Sequence, residues 1–272
     1  MNGKVVAFMN MKGGVGKTTV CVNLAHCLSM YKKKKVLIID MDPQANTSQY
    51  ILTQQKYREI LEEGKTIFKI YKSFFESISY SSVDESIDEK VEEENLTIEV
   101  NENLFLIPGD LNMVRLSRGA DSNANLKLET FIREKNFLEN FDFIFIDCPP
   151  TQSIYTDSAL NTSDYYILPV KPDFLSTIGI NLVKRMIKLH NNNGLKKVKC
   201  AGIIINMLHN QSYEKEMVEK IKQENISDIY ESIIKYTTKV SEGAENQKYL
   251  LNINGHKKII KNIAETFLER VK

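Results

Sequence analysis

Lys12-Gly13-Gly14-Val15-Gly16-Lys17-Thr18-Thr19 begins just after the apolar run Val5-Val6-Ala7-Phe8-Met9, near the start of this 272-residue chain. The order predicts a strand, a glycine-rich loop and the start of a helix. Glycines lack a Cβ, so successive backbone N–H groups can turn inward around an anion. The helix start adds its positive dipole end at the same place. The stretch therefore predicts a phosphate-binding loop in an α/β fold.

The polar side chains of this loop are suited to bind a nucleoside triphosphate together with Mg²⁺. Lys17 is placed to bridge the terminal phosphates, and the Thr18 hydroxyl is placed to hold Mg²⁺. The ordinary phosphate-loop pattern has a glycine where this chain has Met11, and Lys12 adds a second lysine at the front. The predicted nucleotide-binding residues of the loop are Lys12, Gly13, Gly14, Val15, Gly16, Lys17, Thr18 and Thr19.

Two further acidic motifs each follow an apolar run. Asp40-Met41-Asp42-Pro43-Gln44 follows residues 36–39, and Asp147-Cys148-Pro149-Pro150 follows residues 143–146. At the end of the first run, one carboxylate can approach a metal while the other faces the γ-phosphate. An apolar strand that ends in an acid beside a phosphate loop is the Walker B arrangement, so Asp147 is predicted to hold Mg²⁺, usually through water.

A weaker signal follows the apolar run at residues 201–205. Asn206 ends this run, where its amide could pair with an adenine edge. A turn-forming asparagine at a strand end is nearly as good an interpretation.

Apolar runs of strand length recur along the chain and alternate with helical patterns. They lie at residues 5–9, 36–39, 104–107, 143–146, 165–170 and 201–205. Continuous hydrophobicity indicates strands that are buried on both faces, and the alternation predicts a doubly wound, mostly parallel sheet. We expect one domain over residues 1–272. Residues 51–100 are the least predictable part, with a helix through Ile67, Ile70, Tyr71, Phe74 and Ile78 and a solvated acidic stretch after Ser81.

Composition narrows the class of protein. The four cysteines are scattered among apolar neighbours, which indicates buried core residues rather than a disulfide framework or a metal site. We find no signal peptide and no apolar run of membrane-spanning length, so a cytoplasmic location is expected. The net charge of +1 hides a basic C-terminal third, which fits either a DNA-binding surface or a solvated lysine-rich one.

Together these motifs resemble the ParA/MinD ATPases, P-loop NTPases with a deviant Walker A loop, over nearly the whole chain. The resemblance implies ATP and Mg²⁺ as ligands and ATP hydrolysis as the reaction. It implies that Lys12 is the signature lysine, which reaches the nucleotide of a partner subunit. It further implies that Asp42 positions the attacking water and that Asp40 joins Thr18 and Asp147 around Mg²⁺. Catalysis would then rest on Lys12, Lys17 and Asp42.

The function implied is ATP-dependent DNA segregation of a plasmid or chromosome. An ATP-induced sandwich homodimer would bind DNA without sequence preference and associate with the nucleoid. A centromere-bound adaptor of the ParB type would stimulate hydrolysis and release the dimer. The family's DNA-contacting arginines are absent or replaced by lysine here. The candidate DNA contacts are Lys196, Lys197, Lys235 and Lys239. The chain starts at the first strand, so no N-terminal helix-turn-helix is expected.

Three alternatives remain at this point. A MinD-like ATPase that cycles on a membrane would use the amphipathic C-terminal segment 257–272, although core packing is favoured because its polar face mixes Glu with Lys. A small-molecule ligase could share the fold, but no substrate-pocket signature is evident. A nucleotide-gated electron donor would need a cluster-binding cysteine pair, for which Cys148 alone is insufficient.

Overall fold

The computed structural model describes residues 2–72, 95–118, 124–193, 196–209, 211–224, 229–240 and 247–272. Its centre is a seven-stranded sheet in the order β3-β4-β2-β5-β1-β6-β7. All neighbouring strands are parallel except β3 and β4, which are antiparallel. The strands are β1 Lys4–Phe8, β2 Val36–Asp40, β3 Ile98–Asn101, β4 Leu104–Ile107, β5 Phe143–Asp147, β6 Tyr165–Val170 and β7 Lys199–Ile205.

Helices connect the strands. They are α1 Lys17–Tyr31, α2 Asn46–Ile51, α3 Gln54–Glu62, α4 Lys127–Glu134, α5 Phe137–Asn140, α6 Ile154–Thr162, α7 Ser176–Asn193, α8 Ser212–Gln223 and α9 Lys257–Arg270. Three 3₁₀ segments occur at Leu111–Arg118, Ala124–Leu126 and Leu250–Asn252.

The sheet is buried on both faces, as the apolar runs predict. Val5 and Ala7 of β1 belong to one hydrophobic cluster, whereas the alternating Val6 and Phe8 belong to the other. Successive side chains of a strand point to opposite faces, so β1 packs against both helical layers. The prediction of a doubly wound, mostly parallel sheet is confirmed.

β1 lies between β5 and β6, while β2 lies on the far side of β5. The connection from β1 to β2 and the connection from β5 to β6 therefore run in opposite directions across the sheet, which makes a crevice at the carboxyl ends of β1 and β5, where ligands bind in such folds. The glycine-rich loop, Asp42 and the end of β5 all meet at this edge. The topology thus gathers three motifs that are far apart in sequence.

The segment between residues 51 and 100 departs most from expectation. It contains α3 and the edge strand β3, neither of which the sequence predicted. β3 is short, only partly buried and bulged against β4, so its hydrophobic signal is weak. Ile67 and Tyr71 are fully buried, as the predicted helix requires. Phe74, Ile78 and the acidic stretch from Ser81 to residue 94 lie outside the described residues.

The C-terminal helix α9 packs into the core. Ile260, Ile263 and Phe267 are fully buried in the cluster that also contains residues of α1. The apolar face predicted for this segment is therefore covered by the protein itself. None of the described helices is both long and apolar enough to cross a membrane.

Candidate nucleotide and metal site

The loop between β1 and α1 has the backbone conformation of an anion cradle. Gly14 and Gly16 have φ angles of 71° and 82°, values that side-chain-bearing residues rarely adopt. A Cβ on Gly13 or Gly14 would meet no atom within 4 Å, so open space lies beside the loop. A Cβ on Gly16 would lie 2.1 Å from the Asn206 amide nitrogen. Only glycine fits that position.

Asn206 supports the loop. Its Nδ2 donates a hydrogen bond of 2.9 Å to the carbonyl of Val15, and the residue is 1% exposed. This bond uses one of the two N–H donors of the amide, so the predicted adenine contact of Asn206 stays a prediction. The next residue, Met207, lines the cavity.

A cavity of about 1290 Å³ opens in front of the loop. One wall is the loop with the start of α1, and the opposite wall is α2, α3 and the turn before them. Its lining residues are Gly13, Gly14, Gly16, Lys17, Thr18, Thr19, Asp42, Gln44, Asn46, Gln49, Tyr50, Leu52, Thr53, Gln54, Tyr57, Arg58, Leu61, Pro150, Met207 and Gln247. Volume and lining both suit a nucleotide.

Lys17 is the buried cation of this cavity. It is 7% exposed, and its Nζ lies 3.4 Å from the Lys12 carbonyl oxygen. Burial lowers the pKa of Lys17, while the negative charges of Asp147 and Asp42 act in the opposite direction. An ammonium group that has no ion-pair partner among the residues described is suited to receive the phosphates of a ligand.

Lys12 lies outside the cavity lining and forms an ion pair with Asp173, in the turn after β6. Burial alone would raise the pKa of Asp173, but the hydrogen bond and charge of Lys12 outweigh it and lower the pKa. Phe174 and Leu175, beside this pair, are 81% and 49% exposed. The structure therefore brings Lys17 to its own loop's cavity and directs Lys12 to a neighbouring exposed face.

Asp147 has the features of a metal ligand. Its Oδ2 accepts hydrogen bonds from the hydroxyls of Thr18 at 2.6 Å and Thr47 at 2.7 Å. Its Oδ1 is buried and has no hydrogen-bond partner within the described parts of the chain. Burial raises the pKa of Asp147 to about 6, against the opposing hydrogen bonds and Lys17. A buried carboxylate oxygen without a partner fits a Mg²⁺ site, because hard oxygen ligands are those that this cation prefers.

Asp40 is held by Ser48 of α2. Its Oδ2 accepts from the backbone N–H of Ser48 at 2.8 Å and from its hydroxyl at 2.7 Å. Burial raises the pKa of Asp40 to about 8, and the charge of Asp147 adds to this effect. Gly109 packs so closely that a Cβ there would lie 2.9 Å from the Asp40 carboxyl carbon. The carboxyl group thus fastens α2 to the sheet, and its predicted place around Mg²⁺ stays a prediction.

Asp42 lines the cavity, and its role toward water stays a prediction. It is 6% exposed, and its Oδ1 accepts a hydrogen bond of 2.9 Å from the backbone N–H of Gln44. This bond fixes the carboxyl group on the wall opposite Lys17. A carboxylate held in that position can orient a water molecule toward the phosphates.

Cys148 follows Asp147 but has no chemical role in this geometry. It is fully buried, and burial raises the pKa of its thiol well above the usual range. A buried thiol with a raised pKa is inert.

The four candidate DNA lysines lie beyond opposite ends of the edge strand β7. Lys196 and Lys197 precede β7, and Lys196 is held at 2.9 Å by Asp164. Lys235 and Lys239 are exposed beyond the opposite end of β7, where Lys235 pairs with Leu208. β7 alone has 7 residues, or roughly 20 Å of chain. The candidates therefore form two separate pairs, and their contact with DNA stays a prediction.

Sequence reasoning missed Thr47, Ser48 and Asp173. All three act through tertiary contacts with residues far along the chain, so no local spacing announces them. For Thr47 and Ser48 the one available signal was a pair of hydroxyls just after the Asp-Pro-Gln turn, which also suits an ordinary helix start.

Comparison with known proteins agrees with this geometry. A family model described as an AAA domain matches residues 3–200. The sporulation initiation inhibitor protein Soj of Bacillus subtilis (strain 168) is 28% identical over 259 residues, which cover 92% of this chain and 90% of Soj. The chromosome partitioning protein ParA of Caulobacter vibrioides (strain NA1000 / CB15N) is 25% identical over 255 residues, 91% of this chain and 86% of that protein.

Solved structures give the same result. A protein of Borrelia burgdorferi B31, described as a plasmid partition protein and bound to AMPPNP, superposes with a TM-score of 0.77 at 27% identity. The match covers 99% of this chain and 100% of that one. The similarity thus includes both walls of the cavity.

Proposed function

This chain belongs to the AAA-domain family as a ParA-type ATPase, and from that premise we propose that it segregates DNA. ATP-bound protomers pair face to face, the dimer binds DNA without sequence preference, and hydrolysis releases it. The nucleotide is ATP and the metal is Mg²⁺. The whole chain, residues 1–272, acts as one ATPase domain.

The observation that best supports the proposed dimer is the position of Lys12. Lys17 already supplies a buried cation to the cavity of its own protomer. Lys12 lies outside that cavity and forms a partly exposed ion pair with Asp173. A second protomer placed against this face would receive Lys12 at its own nucleotide. A cation supplied in trans stabilises the charge that develops on the transferring phosphoryl group.

Within one protomer, different residues bind the phosphates, hold the metal and orient the attacking water. The glycine-rich loop and Lys17 bind and orient the phosphates. Thr18 and Asp147 hold Mg²⁺, which neutralises phosphate charge when bound. Asp42 orients the attacking water from the opposite wall.

The DNA surface is assigned to the side that carries Lys235 and Lys239. Both lysines are exposed and lie at the edge of the sheet where the cavity opens. His256, whose Nε2 lies 3.0 Å from the Lys235 carbonyl, links them to the exposed Lys257 and Lys258 of α9. Lysines that contact phosphates supply affinity without base readout. Lys196 is left out, because its charge is balanced by Asp164.

The remaining parts of the proposal come from the family. A centromere-bound adaptor of the ParB type stimulates hydrolysis, and the protein works in the cytoplasm and on the nucleoid. The covered apolar face of α9 supports DNA rather than a membrane as the surface on which the dimer assembles.

Co-sedimentation with ATP, ADP or no nucleotide tests the proposal. One arm uses random-sequence double-stranded DNA and the other uses anionic phospholipid vesicles. We expect DNA binding with ATP alone, together with a doubling of mass by light scattering. Binding to vesicles but not to DNA would replace the proposal with the membrane-cycling alternative, and a protein that stays monomeric with ATP would refute the sandwich dimer.

A further inference from the structure

Thr47 shares one carboxylate oxygen with the loop residue Thr18. It lies in the first turn of α2, it is fully buried, and its hydroxyl donates to Oδ2 of Asp147 over 2.7 Å. Thr18 donates to the same oxygen over 2.6 Å. The two donors come from opposite walls of the cavity and leave Oδ1 of Asp147 without a partner in the described chain.

We propose that Thr47 is a positioning residue for the Mg²⁺ site, which holds Asp147 in place from the α2 wall. The inference rests on the proposed ATP- and Mg²⁺-binding site, and not on the dimer or on DNA. It adds a residue to the site that the loop motif and the two acidic motifs do not contain.

The two donors differ in what else they are expected to do, because the Thr18 hydroxyl is also predicted to ligate the cation. A hydroxyl that ligates Mg²⁺ through a lone pair keeps its proton, but metal binding then constrains the direction in which that proton points. The Thr47 hydroxyl has no such second duty, so it can keep Oδ2 fixed while Oδ1 faces the metal. Partners that orient a ligand in this way typically contribute about 10- to 100-fold in metal affinity or activity.

The same hydrogen bond ties the water-positioning segment to the metal site. Thr47 follows Asp42 by five residues and comes just after a turn closed by a 2.8 Å bond from the Ala45 N–H to the Asp42 carbonyl. Ala45 has a φ of 52°, a conformation that the surrounding contacts must hold in place. Thr47 therefore joins the carboxyl group that orients water to the one that holds the metal.

The chain offers a matched control in Thr66. Its hydroxyl donates to Oδ2 of Asp110 over 2.9 Å, and it is 1% exposed. Thr66 and Asp110 lie outside the cavity lining. Thr66→Val thus removes the same kind of buried threonine–aspartate bond without touching the candidate metal site.

The test compares Thr47→Val, Thr47→Ser and Thr66→Val in the full chain. Binding of a fluorescent ADP analogue is measured in EDTA and over a Mg²⁺ titration, and Mn²⁺ binding with ADP is followed by electron paramagnetic resonance. We expect Thr47→Val to raise the half-saturating cation concentration about 10-fold or more, with affinity in EDTA changed less than about twofold. Thr47→Ser keeps the donor and should match the wild type, as should Thr66→Val.

An unchanged Mg²⁺ titration for Thr47→Val overturns the proposal, as does an equal shift for Thr66→Val. If the valine variant does not fold, Thr47→Ala gives the same comparison, because it removes the hydroxyl without adding bulk. All these measurements are made on protomers with ADP. A protein that fails to bind DNA therefore refutes the segregation function but leaves this result intact, while a lack of ADP binding by the wild type refutes both.

Discussion

Lys12 and Asp173 are joined in an ion pair that links the phosphate loop to the turn after β6. Both side chains are partly exposed, at 32% and 24%. The pair holds Lys12 on its own protomer, so in the proposed dimer Lys12 would have to leave Asp173 before it could reach the nucleotide of a partner. Under that proposal, Asp173 opposes dimerisation.

Asp173→Asn should strengthen ATP-dependent dimerisation. Asparagine keeps an oxygen to accept from the Leu175 N–H, while the charge that holds Lys12 is lost. Partly exposed ion pairs are worth up to about 1 kcal/mol, and each dimer contains two. We expect the dimer dissociation constant with ATP to fall roughly three- to tenfold, as measured by analytical ultracentrifugation. A weaker dimer would show that Asp173 contacts the partner instead.

Lys12→Ala should abolish the ATP-dependent dimer but leave ATP bound to the protomer. The loop N–H groups and Lys17 remain in place, so the change in nucleotide affinity should stay below about tenfold. Light scattering with a non-hydrolysable ATP analogue and a nucleotide titration measure the two effects separately. A normal dimer in this variant would contradict the role of Lys12 in trans.

Asp42→Ala should slow ATP hydrolysis by about 100-fold or more, because the group that orients water is lost. ATP binding should persist, since the loop is unchanged. The variant should therefore accumulate as a dimer on DNA, which gel shift with ATP would detect. Asp42→Asn provides the control for size, and wild-type turnover in either variant would exclude Asp42 from the mechanism.

Replacing Lys235 and Lys239 together with alanine should weaken DNA binding and flatten its salt dependence. Each phosphate contact that is lost should reduce the slope of log affinity against log salt by about one. Lys197→Ala is the matched control, because Lys197 is an exposed lysine beyond the other end of β7. Equal losses from both replacements would argue for a diffuse electrostatic surface.

His26 should make the protein sensitive to mild acid. Its ring stacks on Tyr249 with centroids 3.7 Å apart, and its Nδ1 is buried with no hydrogen-bond partner in the described chain. Burial lowers the pKa of His26 to about 4. In the unfolded chain a histidine titrates near 6.5, so stability is complete above about pH 6.5 and is lost as pH falls toward about 4.

The loss that His26 causes should reach at most ~1.4 kcal/mol per pH unit in that window. His26→Phe keeps the stack on Tyr249 and removes the titrating group. Thermal unfolding at pH 7 and pH 5 should therefore show a smaller drop for His26→Phe than for the wild type. Equal drops would mean that other groups control acid unfolding.

Local pattern was sufficient for most of the fold. Six strands were predicted within one or two residues of their ends, because strands that are buried on both faces must be apolar throughout. β3 was missed, since an exposed edge strand has no such constraint. The placement of Lys17, Asp42 and Asp147 at one edge followed from the rule that ligands bind at the carboxyl ends of parallel strands.

For other residues, the role depended on the direction in which the side chain points and not on its position in the sequence. Asp40 and Asp42 are two residues apart, yet one is sealed against Ser48 and the other faces the cavity. Asn206 ends its strand beside the loop, and its Nδ2 donates a hydrogen bond to the carbonyl of Val15. A strand-end pattern locates such side chains within a few ångströms and does not say which neighbour receives their hydrogen bonds.

The order of residues along the chain settled where phosphate binds, because glycines, a lysine and a helix start are local features whose spacing is enough to build an anion cradle. Only the folded molecule decided which groups complete that cradle. Thr47 reaches Asp147 across 100 residues of chain and Lys12 reaches Asp173 across 161. Contacts at such separations are set by how helices pack on the sheet, which depends on the whole core and not on any single stretch.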